Sequence, residues 1–239
     1  MSVSKTNYSR TEVYLGDTNA QPKYMFVRMA EIIGQSMPKE DARSLLDVGA
    51  ASGAFLRYMK TCCPAWTFTG LDFDPKLIEN ARQLSSDVNY LVGDANRMDA
   101  LASSSFDVVT MIGTHSIFDD FRASFAECIR VTKANGKVVV TGLFNNYPVD
   151  ALIYWRYGGK FDDAWHPGYN LFSKASVAAF LESHPRVDGF AFEPFNFSLD
   201  LEPREDVIRS WTEKDSDGEL YLRNGIMPLN FETLVIEVA

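Results

Sequence analysis

The stretch that most limits the fold of this chain is LLDVGAASGAFL, from Leu45 to Leu56. An apolar run ends at Val48, six small residues follow from Gly49 to Ala54, and a helical pattern begins. A buried strand, a tight turn and a helix fit that order, and so many missing side chains let something approach the backbone closely. The alternation then repeats. WTFTGLDF, VNYLVGD, SFDVVTMIG and KVVVTGLF read as four further strands. Helical periodicity fills the gaps: up to about Cys62, over DPKLIENARQLS, and from about Phe118 to Lys133, where Ala134-Asn135-Gly136 stops it. Asp74 is placed as a cap with Pro75 in the first turn, and Leu77, Ile78, Ala81 and Leu84 face inward. In the later helix Phe121, Phe125, Cys128 and Ile129 form the apolar side. Apolar strands separated by amphipathic helices predict an α/β three-layer sandwich with a mostly parallel sheet.

Both ends depart from that rhythm. The first twenty residues lack periodicity and read as a loop or loosely held arm. QPKYMFVRMAEIIGQSM then sets Phe26, Met29, Ile32 and Ile33 on one helical face, with Pro22 suited to its first turn. After Phe144 the segment 144–172 is dense in Tyr, Trp and Gly. It reads either as a helical flap on the sheet rim or as the aromatic wall of a pocket, and the two are compatible. A short helix, KASVAAFLESH, follows with Ser173 as its cap. GFAFEPFNFSLDL, with a phase slip at Glu193–Pro194, then IRSWTEK and ELYLRN around a DSDG turn, and finally FETLVIEVA read as strands. The sheet is expected to have seven strands, the last reversed.

The chain has 239 residues, 46% of them hydrophobic, which suits one α/β domain. A net charge of −9 argues against a nucleic-acid partner, whose phosphates need a basic groove. The N-terminus has no secretory apolar core, and no apolar run reaches membrane-spanning length. Cys62, Cys63 and Cys128 have neither metal-finger nor disulfide spacing. A cytoplasmic location without membrane attachment is expected. Asp119–Asp120 and Asp162–Asp163 lack a third ligand, so no metal is expected, and the first pair suits a helix N-terminus.

Parallel α/β sheets bind ligands at the carboxyl ends of their strands. Asp47, Asp72 and Asp94 end or follow three successive strands and line one edge. The turn Gly49-x-Ala51-x-Gly53 is not the G-x-G-x-x-G of dinucleotide sites, although Ala51 and Ala54 can stand in for its later glycines. Close helix–strand packing is its purely structural explanation.

The ordered set DVGAASG (Asp47–Gly53), GLDFDP (Gly70–Pro75), VGDA (Val92–Ala95), FDVVTMIG (Phe106–Gly113) and VTKANGKVVVTG (Val131–Gly142) resembles the class I S-adenosylmethionine-dependent methyltransferases over about residues 40–143. Ala51 departs from the commoner middle glycine. The resemblance implies S-adenosyl-L-methionine as cofactor. Its methionine half would lie against Gly49, Ala51 and Gly53, with Asp47 beside the turn and Ile112 and Gly113 at the end of the fourth strand. Asp72 would take the ribose hydroxyls, Phe73 would sit beside the adenine, and Asp94, followed by Ala95, would take the adenine amine. One domain then divides into an N-terminal arm and helix (1–40), a cofactor-binding core (41–143), a substrate-side insertion with extra strands (144–230) and a closing strand (231–239).

Methyl transfer needs positioning, dehydration and, for a hydroxyl or amine acceptor, a base. His115 after the fourth strand and His166 in the aromatic segment are the candidates, whereas His184 at a helix end reads as structural. Tyr154, Arg156, Trp165 and Tyr169 are candidate acceptor contacts, with Tyr24 and Arg28 from the N-terminal helix. The expected activity is methyl transfer to a small soluble acceptor such as a sugar derivative or secondary metabolite. The alternatives are a nicotinamide-dependent oxidoreductase and a cofactor-binding protein without catalysis.

Overall fold

A computed structural model describes residues 11–15, 22–195, 200–203, 205 and 210–239. Most of the expected N-terminal arm, residues 196–199 of the expected strand GFAFEPFNFSLDL and 208–209 of IRSWTEK lie outside these. Two helices lead in, α1 (Thr11–Leu15) and α2 (Tyr24–Ser36). The alternating core follows as β1 (Ser44–Val48), α3 (Ala54–Cys62), β2 (Thr67–Asp72), α4 (Pro75–Leu84), β3 (Asn89–Val92), β4 (Phe106–Ile112), α5 (Arg122–Val131) and β5 (Thr132–Asn145). Then come β6 (Tyr154–Trp155), β7 (His166–Pro167), β8 (Phe172–Ser173), α6 (Lys174–Glu182), β9 (Val187–Pro194), β10 (Trp211–Lys214), β11 (Leu220–Arg223), β12 (Pro228–Leu229) and β13 (Phe231–Val238).

The main sheet runs β3-β2-β1-β4-β5-β13-β9, and β8 adds an eighth member by pairing in parallel with the end of β5. β13 is antiparallel to both neighbours, which is the expected reversal of the last strand. Strand order changes direction between β1 and β4, so the ligand-binding edge of this topology falls at their carboxyl ends. Alternation along β1 sorts the core. Leu46 and Val48 join the apolar layer under α5 and α6, while Leu45 joins the one under α2, α3 and α4. Each such fully buried aliphatic side chain contributes about 1.5–3 kcal/mol.

Local chemistry sets the helix ends. The Asp74 carboxylate accepts the Lys76 N–H at 2.9 Å with Pro75 at the first position of α4, and the Ser173 hydroxyl accepts from Ser176 at 3.0 Å for α6. Several sequence expectations are corrected. Leu84 is 43% exposed at the last residue of α4, where the buried stripe has already ended. Pro22 lies ahead of the Lys23 cap and outside α2. α5 begins only at Arg122, because a short 3-10 turn (His115–Ile117) takes up the chain after β4. Ala134-Asn135-Gly136 does not divide helix from strand: it lies inside β5, where pairing with β4 jumps from Phe106–Thr132 to Val108–Lys137 and Asn135 takes φ 61°. β9 keeps register through Glu193 and Pro194, and the slip lies across from it between Glu237 and Val238.

The aromatic segment forms no helical flap. β6 and β7 pair as a small antiparallel ribbon, in keeping with aromatic side chains broken by Gly and Pro without a 3.6-residue period. β10, β11 and β12 make a separate three-stranded sheet, packed through Leu222 and Leu229 on Leu143.

Candidate active site at the carboxyl edge of the sheet

Parallel pairing sets Asp47 between Gly70 and Thr110, and brings Asp72 level with Val92. The chain leaves β1 through three left-handed residues, Gly49 at φ 80°, Ala51 at 48° and Gly53 at 75°. For alanine this conformation costs about 1–2 kcal/mol. It is held by the Asp72 carboxylate, which accepts the Ala51 N–H at 2.8 Å and the Asp74 N–H at 2.9 Å. Asp72 is buried, and that burial raises its pKa against the opposing effect of these N–H donors.

A Cβ at Gly49 would stand 2.1 Å from the Thr114 hydroxyl, and one at Gly53 would stand 2.1 Å from the Tyr90 hydroxyl. These glycines therefore give room first to neighbouring side chains, the packing role considered from sequence. Gly113, at φ 71°, differs: beyond its chain neighbours nothing lies within 4 Å of where its Cβ would be, so the end of β4 opens on free space. Four of the turn's N–H groups, those of Gly49, Ala50, Ala51 and Gly53, are engaged within the protein. Gly49 and Ala50 donate to the Leu71 carbonyl at 2.8 and 3.0 Å, and Gly53 donates to Ala50 at 2.8 Å. A pyrophosphate cradle presents free N–H groups. This turn suits a ligand without phosphate better.

Asp47 lies beneath the turn, fully buried, with the Thr110 hydroxyl donating to it at 2.8 Å. Burial pushes its pKa up to about 7; the Thr110 hydrogen bond opposes the rise and the charge of Asp72 adds to it. Along the same edge Phe73 is 53% exposed just past β2, a free aromatic face. Asp94 is exposed, and its Oδ1 accepts from the Asn96 backbone at 2.8 Å and side chain at 3.0 Å. Ala95 is buried and Ile112 half-buried beside Gly113. Open space at Gly113, an exposed ring after β2 and acids at three strand ends fit a nucleoside-bearing cation.

His115 does not stand on the rim as a solvent-facing base. Its ring is fully buried and stacked 4.7 Å from Phe144, and Nε2 lies 3.1 Å from the Leu143 carbonyl. Burial pushes its pKa down to about 4, so it is neutral at pH 7, with the proton on Nε2 to serve Leu143. It does not cap α5, whose first N–H instead meets the Asp120 carboxylate at 2.9 Å. His166 is exposed in β7, 4.8 Å from the Trp155 ring. Tyr154 and Trp165 are exposed on the same ribbon, and Arg156 lies over Trp165 at 4.8 Å while donating to the Phe161 carbonyl at 2.7 Å. Tyr169 does not join them: it packs in the apolar cluster of Leu143, Leu222 and Leu229. Tyr24 and Arg28 are engaged with Phe195 and Glu193 at the end of β9. The His184 ring accepts the Arg186 N–H at the end of α6.

Sequence reasoning passed over Thr110, Thr114, Tyr90 and Asn170. Each packs against the edge from another element, and the only sequence signal was Thr114 following Gly113. Among the described residues no group of three metal-ligating side chains occurs, and no helix is long and apolar enough to cross a membrane.

A family model of the methyltransferase domain matches residues 46–140. Demethylmenaquinone methyltransferase of Thermotoga maritima is 31% identical over 189 residues, covering 72% of this chain and 80% of the relative. Nocamycin O-methyltransferase of Saccharothrix syringae is 30% identical over 192 residues, covering 70% and 67%. A SAM-dependent methyltransferase structure from Methanosarcina mazei shares the fold at a TM-score of 0.58 and 15% identity, over 86% of this chain and 96% of that one. The chain belongs to the class I S-adenosylmethionine-dependent methyltransferases. It is an enzyme that uses S-adenosyl-L-methionine, and the nicotinamide alternative finds no support among these relatives.

Proposed function

We propose that this enzyme, acting as a single domain, transfers the methyl group to a small-molecule acceptor held on the 144–172 side of the edge. The cofactor when bound supplies an electrophilic methyl on a sulfonium. The free space at Gly113 carries this reading, because it lies where β4 meets the glycine turn. Asp47, Gly49, Ala51 and Gly53 shape the methionine end, with Ile112 and Gly113 as its floor. Asp72 keeps lone pairs beyond its two backbone bonds for ribose hydroxyls. Phe73 offers its face to adenine, and Asp94, above Ala95, accepts the adenine amine.

On the acceptor side Tyr154, Arg156 and Trp165 present an aromatic and cationic surface, and His166 is the histidine offered to an acceptor proton. His115, neutral and buried, supports the floor. Two relatives are named for demethylmenaquinone and nocamycin, both small molecules, which supports a compact acceptor over a macromolecule. The test pairs titration calorimetry of S-adenosylhomocysteine with a methyl-transfer screen. The screen uses deuteromethyl cofactor against naphthoquinols and hydroxylated secondary metabolites, read by mass spectrometry. Cofactor binding that Phe73→Ala and Asp94→Ala leave unchanged would remove the adenine assignment. Transfer to a protein or RNA alone would remove the acceptor class.

A further inference from the structure

Two loops meet at one buried side chain. Asn170 is 4% exposed, and both its backbone and its side chain are engaged. Its N–H donates to the Ser116 carbonyl at 2.6 Å and its Nδ2 to the Phe118 carbonyl at 2.8 Å, so it grips the turn after β4 at its middle and just past its end. Its Oδ1 accepts the Ile153 N–H at 2.9 Å, just before β6. Beside it the ribbon base is closed by Ala151 and Leu171 exchanging bonds at 2.8 and 2.9 Å, and by Gly168 donating to Ile153 at 2.7 Å.

The gripped turn reaches the cofactor side. Thr114 donates to the Val48 carbonyl at 3.3 Å, and its hydroxyl fills the space over Gly49. The Ile117 N–H closes back on the Thr114 carbonyl at 3.1 Å, so residues 114–117 are one short rigid unit. Hydrogen bonds and packing thus run without a gap from Gly49 through Thr114, Ser116 and Asn170 to Ile153.

We propose that Asn170 is a positioning residue: it fixes the aromatic ribbon to the turn that braces the glycine loop, so that cofactor binding orders the acceptor side. This rests on the proposed placement of cofactor and acceptor. An asparagine is suited to the task because one planar amide both donates and accepts, and its own burial keeps water from taking its place. The tip of the ribbon has little cover, since Trp165 at 60% and Phe161 at 79% exposure contribute little burial, so its order depends on its base.

Hydrogen exchange on the full chain tests this with S-adenosylhomocysteine as the probe. In the wild type, saturating probe should slow exchange at least tenfold both in residues 114–118 and in residues 151–171. Asn170→Asp keeps the acceptor for Ile153 but turns an oxygen toward the Phe118 carbonyl and toward the Asp119 carboxylate, which lies 3.5 Å from Nδ2. Asn170→Ala removes the side-chain grip without adding charge. In either variant the probe should still slow residues 114–118, bind within threefold of wild type by calorimetry, and slow residues 151–171 less than twofold. Should the aspartate variant fail to fold, the alanine variant carries the comparison. Protection of 151–171 that survives in a folded variant, or that is absent from the wild type while 114–118 is protected, overturns the role of Asn170. No protection at 49–53 or 114–118 in the wild type overturns the cofactor placement, and this inference falls with it.

Discussion

The Asp72 carboxylate accepts the Ala51 N–H at 2.8 Å, across 21 positions of sequence, and so holds the left-handed alanine of the glycine turn in place. One acid at the end of β2 shapes the site before any ligand arrives. Asp72→Asn keeps the size but leaves one oxygen for the two N–H groups of Ala51 and Asp74. S-adenosylhomocysteine affinity should fall by about 1–3 kcal/mol, roughly fivefold to 150-fold, with a lower melting temperature even without ligand. Calorimetry and a thermal melt read the two effects, and an unchanged ligand-free melt would show that the turn does not depend on Asp72.

Asp47 should make stability fall toward neutral pH. Its carboxyl ordinarily titrates near 3.8 and is pushed up to about 7 by burial. Between those values the folded chain keeps a proton that the unfolded chain has lost, so stability declines as pH rises from about 4 to 7. Each unit of that difference is worth about 1.4 kcal/mol. Asp47→Asn should lose less stability than the wild type between pH 5 and 7 in urea titrations. Parallel curves for the two proteins would count against a protonated Asp47.

His115 works in the opposite direction. Its folded pKa, about 4, lies below the ordinary 6.5, so stability is lost as pH falls from about 6.5 toward 4. His115→Phe keeps a ring on Phe144 and removes the proton-binding nitrogen. It should flatten this acid limb at a cost of about 1 kcal/mol at pH 7, from the Leu143 carbonyl left without its donor. Chemical denaturation at pH 4.5 and 7 gives the comparison.

Gly142 is fixed by the same histidine. A Cβ there would lie 2.4 Å from His115 Cε1, against a ring already stacked on Phe144. Gly142→Ala should cost about 1–3 kcal/mol through overpacking. In the His115→Ala background most of that cost should vanish, and a double-mutant cycle in urea measures the coupling.

On the ribbon, Trp165→Ala and His166→Ala change exposed side chains and should leave both the melting temperature and cofactor affinity close to wild type. Turnover on an acceptor found by the screen should fall at least tenfold. Full turnover in both variants would reduce the ribbon to a surface feature.

Much of this architecture is legible in local sequence. The apolar run Leu45–Val48, the cap at Asp74 with Pro75 after it, and the period through Phe125, Cys128 and Ile129 act over a few residues. Backbone preference and burial there point the same way, so the alternating sheet follows from the order of the elements. The acids at the strand ends are legible for the same reason, since parallel pairing carries them to one edge.

What the sequence left open depends on which distant atoms fill which space. Nothing near Gly49 in the chain says that Thr114 will occupy its missing side chain, or that Tyr90 will do so at Gly53. His115 reads as a rim residue because it follows a strand, yet the fold closes Phe144 and Leu143 over it and lowers its pKa by desolvation. Tyr169 and Trp165 look alike in the aromatic run, and only packing against Leu143 and Leu222 half-buries one and leaves the other exposed. Local pattern already dictated the strand–helix alternation, and the ordered motifs carried the family resemblance that implies the cofactor. The tertiary structure alone decided which side chains face the open edge, because burial and proton affinity are set by atoms that meet only after the chain has folded.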